Sequence, residues 1–293
     1  MLYIVRPNDT LHSIASRFGS TIQEIRSQNV ICHPDMIISG MPLIIPKNGV
    51  DLPLAGGSPY YIVSPGDSLQ CLALYFHTTE KNLIETNQLY SPVEIGRELL
   101  IGIQQHHPKD LYEMWKKAGD TEWGCSSASN HEVFYRGSYE WEAIGDAGIP
   151  YLAELLEHPC SGITMGAIEG LGRIASSNTQ KTLTAYVQTA NEPLYIDLAR
   201  VALERILIVQ QTKNKRFHVT TNDWMILHEP KSGSHQTNIP KGTVVVGLRW
   251  NIPSPYYEEG PKGGLQMFDY IKIVETGQTG FLPRVGYNAI WLI

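Results

Sequence analysis

The hydrophobic positions of the N-terminal third run as a short alternation, two helical stripes and a second alternation. Tyr3 and Val5 alternate with Ile4 and Arg6, which predicts a strand with one buried face. Pro7-Asn8-Asp9 interrupts it, and Asp9 or Thr10 is placed to cap the next helix by accepting from its free amides. Leu11, Ile14, Ala15 and Phe18 then recur at helical spacing, one apolar stripe closed by Gly19. Thr21 and Glu24 form a capping box that opens a second helix carrying Ile22 and Ile25 inward. Gly40 marks a turn, and Leu43 and Ile45 alternate in a closing strand that ends at Pro46.

The whole pattern returns between Tyr61 and Ile101. Tyr3, Val5, Pro7, Asp9, Leu11, Ala15, Phe18, Thr21 and Asn29 match Tyr61, Val63, Pro65, Asp67, Leu69, Ala73, Phe76, Thr79 and Asn87 at one constant offset. A repeat in such register implies two copies of one fold and one function. The copies differ locally. Asn82 stands where Glu24 stood, so the second capping box is lost, and Cys32-His33-Pro34 lengthens a loop of the first copy. Units this short have small cores, so nearly every patterned apolar residue is needed for packing.

These motifs resemble the LysM family, a βααβ module that binds N-acetylglucosamine polymers such as peptidoglycan and chitin. The resemblance covers about a third of the chain, over 2–47 and 60–104, with 48–59 as a Gly/Pro-rich linker. It implies a shallow sugar groove between two loops of each module. In the first copy these are Asn8-Asp9-Thr10-Leu11 and Pro34-Asp35-Met36-Ile37; in the second, Gly66-Asp67-Ser68-Leu69 and Pro92-Val93-Glu94-Ile95. Backbone amides and carbonyls over an apolar seat suit an N-acetyl group. Asp9 and Asp67 have a competing role as helix caps, and Ile37 and Ile95 as core residues. Asn8 stands where glycine is usual, and asparagine tolerates positive φ. Two modules on a freely moving tether would gain avidity without new contacts.

The remaining chain changes character twice. Residues 105–138 form a connector with a short helix from Pro108 to Lys117 carrying Leu111, Met114 and Trp115; His106-His107 reads as solvated linker, without a partner at metal-ligand spacing. Residues 139–212 are helical. Ala199 to Ile206 echoes Ala167 to Ile174, and Leu183, Tyr186 and Val187 echo Leu152, Leu155 and Leu156, so the segment resembles short HEAT-like repeats. Residues 216–293 carry strand-like runs at Met225-Ile226-Leu227, Thr243 to Val246 and Tyr270 to Ile273. Pro240 to Val244 and Gly277 to Pro283 resemble bacterial Src-homology-3-like barrels, with an enlarged loop between Trp250 and Gln266. The fold class expected is thus multidomain α+β: two βααβ modules, an all-α HEAT-like segment and a small β-barrel.

Charge and cysteines narrow the function. A net charge of −6 argues against a nucleic-acid binder. No run reaches the length of a membrane span, and the first residues lack the apolar core of a signal peptide. Cys32, Cys71, Cys125 and Cys160 form no CxxC pair, which favours free thiols in a reducing compartment. Glu140, Glu142, Glu154 and Glu157 read as a solvated helix face rather than a catalytic pair. Trp123 to Ser127 is faintly similar to the nucleophile turn of wall cysteine peptidases but lacks its Asp and Gly, and no His is evident to activate Cys125.

The sequence therefore reads as a non-catalytic binder of peptidoglycan or chitin-type glycan without cofactor or metal. Its helical and barrel segments would serve as docking surfaces for other wall or spore proteins. A spore envelope or cell wall is the expected setting. The rivals are a peptidoglycan hydrolase using Cys125 and a component of a phage or injection particle.

Overall fold

The computed structural model describes residues 1–46, 60–89, 93–103, 105–120, 125, 137–215, 217–260 and 264–284. The expected linker 48–59 and loop residue Pro92 lie outside these residues, as does most of the expected connector after Asp120. The chain divides into two compact units. The first gathers the described residues of 1–102, 225–238 and 247–284; the second gathers those of 103–224 and 239–246.

In the first unit each repeat folds as strand, helix, helix, strand. The first copy comprises β1 (Leu2–Ile4), α1 (Leu11–Phe18), α2 (Ile22–Ser27) and β2 (Pro42–Ile44). The second comprises β3 (Tyr60–Ile62), α3 (Leu69–Tyr75), α4 (Glu80–Asn87) and β4 (Glu98–Leu100). The strand pairs are antiparallel, with Tyr3 opposite Leu43 and Tyr61 opposite Leu99. Thr10, not Asp9, caps α1: its hydroxyl accepts from Ser13 N–H at 3.0 Å. Thr21 and Glu24 make the expected reciprocal box on α2. Thr79 caps α4 alone, through Asn82 N–H.

Each core is closed by an asparagine that the repeat pattern carries without explaining. Asn29 Nδ2 donates to the carbonyls of Ile25 and Ile44, and its Oδ1 accepts from Ile44 N–H. Asn87 does the same with Leu83 and Leu100. One side chain thereby fastens the last turn of the second helix to the closing strand and satisfies backbone groups that neither element can satisfy alone.

The C-terminal strands are β5 (Phe217–Val219), β6 (Trp224–Leu227), β7 (Gln236–Ile239), β8 (Val244–Pro253), β9 (Met267–Ile273) and β10 (Thr279–Pro283). They form a six-stranded sheet in the order β5-β8-β9-β10-β6-β7, with antiparallel registers at β5-β8, β9-β10 and β10-β6. The expected barrel is not closed: among the described residues β5 and β7 remain edges that do not pair with each other. A different partner covers part of the apolar face. Ile44 is buried with Leu227, Ile252, Phe268, Tyr270 and Phe281, and Leu2 and Ile4 pack beside it. The outward side of β1 and β2, apolar without apparent reason in an isolated module, is thus spent on the sheet.

The second unit is mainly helical: α5 (Pro108–Gly119), α6 (137–144), a 3-10 turn at Gly145–Gly148, α7 (Ile149–Leu155), α8 (Ser161–Ile174), α9 (Ser177–Thr189) and α10 (Pro193–Thr212). Leu111 and Trp115 are buried as expected, but Met114 is exposed. Leu152, Leu155, Leu183 and Tyr186 enter one core with Trp141 and Ile206. Glu140 departs from the expected solvated face: its side chain is largely buried, 3.7 Å from His106. That contact also takes His106 out of the role of solvated linker.

Candidate functional site

The first loop of each copy is built around its aspartate. Asp9 Oδ2 accepts from Tyr3 O–H at 2.5 Å and from Arg6 N–H at 2.8 Å, and Arg17 Nη2 donates to Oδ1 at 3.0 Å. Arg17 Nη1 also donates to the Tyr3 oxygen at 2.6 Å. The Asp9 side chain is only 6% exposed. The Tyr3 hydroxyl, then the Arg6 amide and Arg17, hold its carboxyl below the usual aspartate range. Asp67 repeats the core of this arrangement, accepting from Tyr61 O–H at 2.6 Å and Ser64 N–H at 2.7 Å. Burial dominates here, and the Asp67 carboxyl is pushed up. Both aspartates therefore brace the strand-to-helix loop from within and do not act as the helix caps, which are Thr10 and Ser68.

The loops around them match expectation in part. Asn8 takes positive φ, +69°, as does Gly66, +85°. Thr10 and Ser68 are exposed; Leu11 is buried and Leu69 partly so, each against its own module's core. In the second loop Pro34 is partly exposed, Asp35 and Met36 are exposed, and Ile37 packs on the same core as Leu11. Val93 packs on the core that holds Leu69, and Glu94 is exposed. Ile95 is 66% exposed and is no core residue. The reason is register. Gly40 N–H donates to Val5 O and Gly96 N–H to Val63 O, so the extra residues of the first copy make Val93, not Ile95, the equivalent of Ile37.

The sequence reading leaves the two modules tethered only by their linker. Instead, several residues between Val30 and Met36 of the first copy contact the second. Cys32 and Cys71 form a disulfide. Val30 is fully buried in the second module's core, and Tyr75 O–H donates to Ile31 O at 3.2 Å. A Cβ at Gly66 would lie 2.6 Å from His33 Cβ and 2.9 Å from Met36 Sδ. Glycine in the second copy thus permits close approach of another loop, whereas exposed Asn8 meets only the backbone requirement. Cys125 and Cys160 form a second disulfide, so the expected free thiols are absent among the described residues. Cys125 is consequently not available as a thiolate nucleophile.

The C-terminal sheet adds further contacts to the modules. Buried Arg249 Nη2 donates to Asn29 Oδ1 at 3.4 Å, and its charge acts on Asp67 and Tyr61. Trp250 Nε1 donates to Glu98 Oε2 at 3.0 Å, while its ring lies 5.6 Å from that of Tyr60. Sequence reasoning missed Cys32, Tyr75, Arg249 and Trp250. One signal was present for the cysteines: each repeat carries one, at positions that are not equivalent. Among the described residues no group of three or more His, Cys, Asp or Glu side chains is arranged to hold a metal ion, and no helix is long and apolar enough to cross a membrane.

A family model described as LysM domain matches residues 3–46 and 61–102, so the chain carries two LysM domains. SpoIVD-associated factor A of Bacillus subtilis (strain 168) is 36% identical over 62 residues, which span 20% of this chain and 16% of that protein. Crystal structures of the spore cortex-lytic enzyme SleL from Bacillus cereus and Bacillus megaterium QM B1551 align over 96% of this chain and 88% of theirs. Their identities are 14% and 12% and their TM-scores 0.19 and 0.17, values too low to support a shared fold or activity.

Proposed function

We propose that the chain is a non-catalytic binding protein that holds N-acetylglucosamine-containing glycan, peptidoglycan or a chitin-type polymer, through its two LysM domains. The observation that carries this reading is the duplicated domain itself, each copy with its first loop braced internally by an aspartate and a tyrosine. The glycan-facing groups are assigned to Asn8, Thr10, Asp35 and Met36 in the first copy and to Gly66, Ser68 and Glu94 in the second. Leu11, Ile37, Leu69 and Val93 form the apolar floor, and Asp9 and Asp67 position the loops. Loops braced before binding suit a weakly held ligand, because little ordering entropy is lost when it binds.

The setting assigned is the spore envelope or cell wall, supported by the 62-residue match to a SpoIVD-associated factor. The helical segment, read as two HEAT-like repeats, and the C-terminal strands serve as docking surfaces for other proteins of that layer. A role without catalysis is favoured by the Cys125–Cys160 bond, which occupies the thiol that a cysteine hydrolase would need. Co-sedimentation of the purified chain with insoluble peptidoglycan and with chitin tests the proposal. Binding without release of soluble sugar or peptide is expected. Release of fragments would overturn the non-catalytic role, and failure to sediment with either polymer would overturn the glycan reading.

A further inference from the structure

Cys125 is exposed, and Cys160, to which it is bonded, is only 4% exposed. An incoming group therefore reaches one sulfur of the pair and not the other. Cys160 also stands immediately before α8, where a side-chain oxygen usually accepts from the first-turn amides, and α8 has no such side-chain hydrogen bond. The backbone there is held by contacts that do not involve the sulfur. Cys160 N–H donates to His158 Nδ1 at 3.1 Å, His158 Nε2 lies 3.4 Å from Asp120 Oδ1, and Thr164 Oγ1 donates to the His158 carbonyl at 2.9 Å. Opening the disulfide would thus leave Cys160 at the end of α8. The other bond differs on each point. Cys32 and Cys71 are both partly buried, Cys32 against the second module's core, and the Cys71 amide in the first turn of α3 already donates to Ser68 Oγ at 3.2 Å.

We propose that Cys125–Cys160 is a thiol-exchange site, at which an external thiolate becomes covalently attached to this chain. The thiolate attacks Cys125 Sγ and a new sulfur–sulfur bond forms there. The Cys125–Cys160 bond breaks, and its electron pair leaves on Cys160 Sγ. One disulfide replaces another, so no separate oxidant or reductant is consumed. The Cys160 thiolate then fills the empty cap, where amide donors and the helix dipole favour negative charge. Burial among apolar residues opposes that charge, so the quality of Cys160 as a leaving group depends on α8. Cys125 is the electrophile of this step, not the nucleophile of a hydrolase. The site is independent of the glycan reading, and its reactant is a thiol of the surroundings, carried by a small molecule or by a protein.

Timed exposure of the native full chain to glutathione, followed by acid quenching, alkylation and peptide mass mapping, tests this. Glutathione should appear on Cys125 and the alkyl label on Cys160, with opening at least about tenfold faster than at Cys32–Cys71. Glutathione on Cys160, equal rates at the two bonds, or no exchange in the native chain would overturn the site. Cys125→Ser frees Cys160 without any exchange step. The ultraviolet absorbance of its thiolate should reach its midpoint below the ordinary thiol value of about 8.5, and a midpoint at or above that value would overturn the leaving-group role. The mapping on the unaltered chain keeps the test decisive if that variant does not fold. A folded protein bearing one surface cysteine, used in place of glutathione, identifies the source of the thiol: an adduct with it assigns a protein partner, and reaction with glutathione alone assigns a small thiol.

Discussion

The two LysM copies share a frame, but they use one equivalent position in opposite ways. In the first copy that position is Arg17, which turns inward to its own module and clamps Tyr3 and Asp9. In the second it is Tyr75, which reaches out to the backbone of Ile31 in the other copy. With no arginine of its own at that place, the second copy has the charge of Arg249, from the C-terminal sheet, acting on Asp67. Both loops are braced by their own aspartate and tyrosine, but only the first adds an arginine from its own module, while the second has the charge of Arg249 from outside it. Duplicated sequence gives duplicated backbone, yet a few substitutions decide whether a copy stands alone or is built into an assembly.

Cutting the link between the copies should have the largest effect. Removing a bond that spans 39 residues frees the unfolded chain, and C32S/C71S is expected to lose about 3–4 kcal/mol in urea denaturation. Gly66→Val combines positive φ with a collision against His33 and should cost about 3 kcal/mol, whereas Asn8→Gly should stay within about 0.5 kcal/mol; equal effects would erase the contrast. Asn29→Ala strands a buried amide at Ile44 and should cost about 2–3 kcal/mol, against about 1–2 kcal/mol for the less buried Asn87→Ala.

The smallest effect, and the sharpest, is electrostatic. Asp9 has its pKa lowered on folding, so it stabilises the protein above the ordinary aspartate value of 3.8 and loses that contribution as pH falls through its own lower pKa. Asp67 has its pKa raised, so its contribution is complete below the ordinary value and is lost as pH rises through the raised one. Side-chain carboxyl NMR titration should find the two on opposite sides of 3.8. Asp67→Asn should gain stability relative to wild type between acid and neutral pH, and Asp9→Asn should lose it.

Much of this was legible in the chain. Periodicity placed α1 through α4 and the strand pairs because each module's core is local, formed by residues close in sequence. Capping chemistry was legible for the same reason. The register of Ile95 was misread because an insertion in one copy shifts the equivalence only after the helices, where no apolar stripe marks the slip. The open sheet was not legible either. Ile4 and Ile44 look like ordinary alternation until a surface from the far end of the chain covers them. Cys32 with Cys71, and Arg249 with Asn29, meet across long separations that no local pattern records.

The Cys32–Cys71 bond also closes a covalent ring that contains the whole segment between the two modules. A protease that cleaved once anywhere within that ring would not release the modules from each other. The nicked protein would migrate as a single species without reductant and as two with it. The two modules would then stay joined after the first proteolytic cut, and separating them would require a second event of different chemistry.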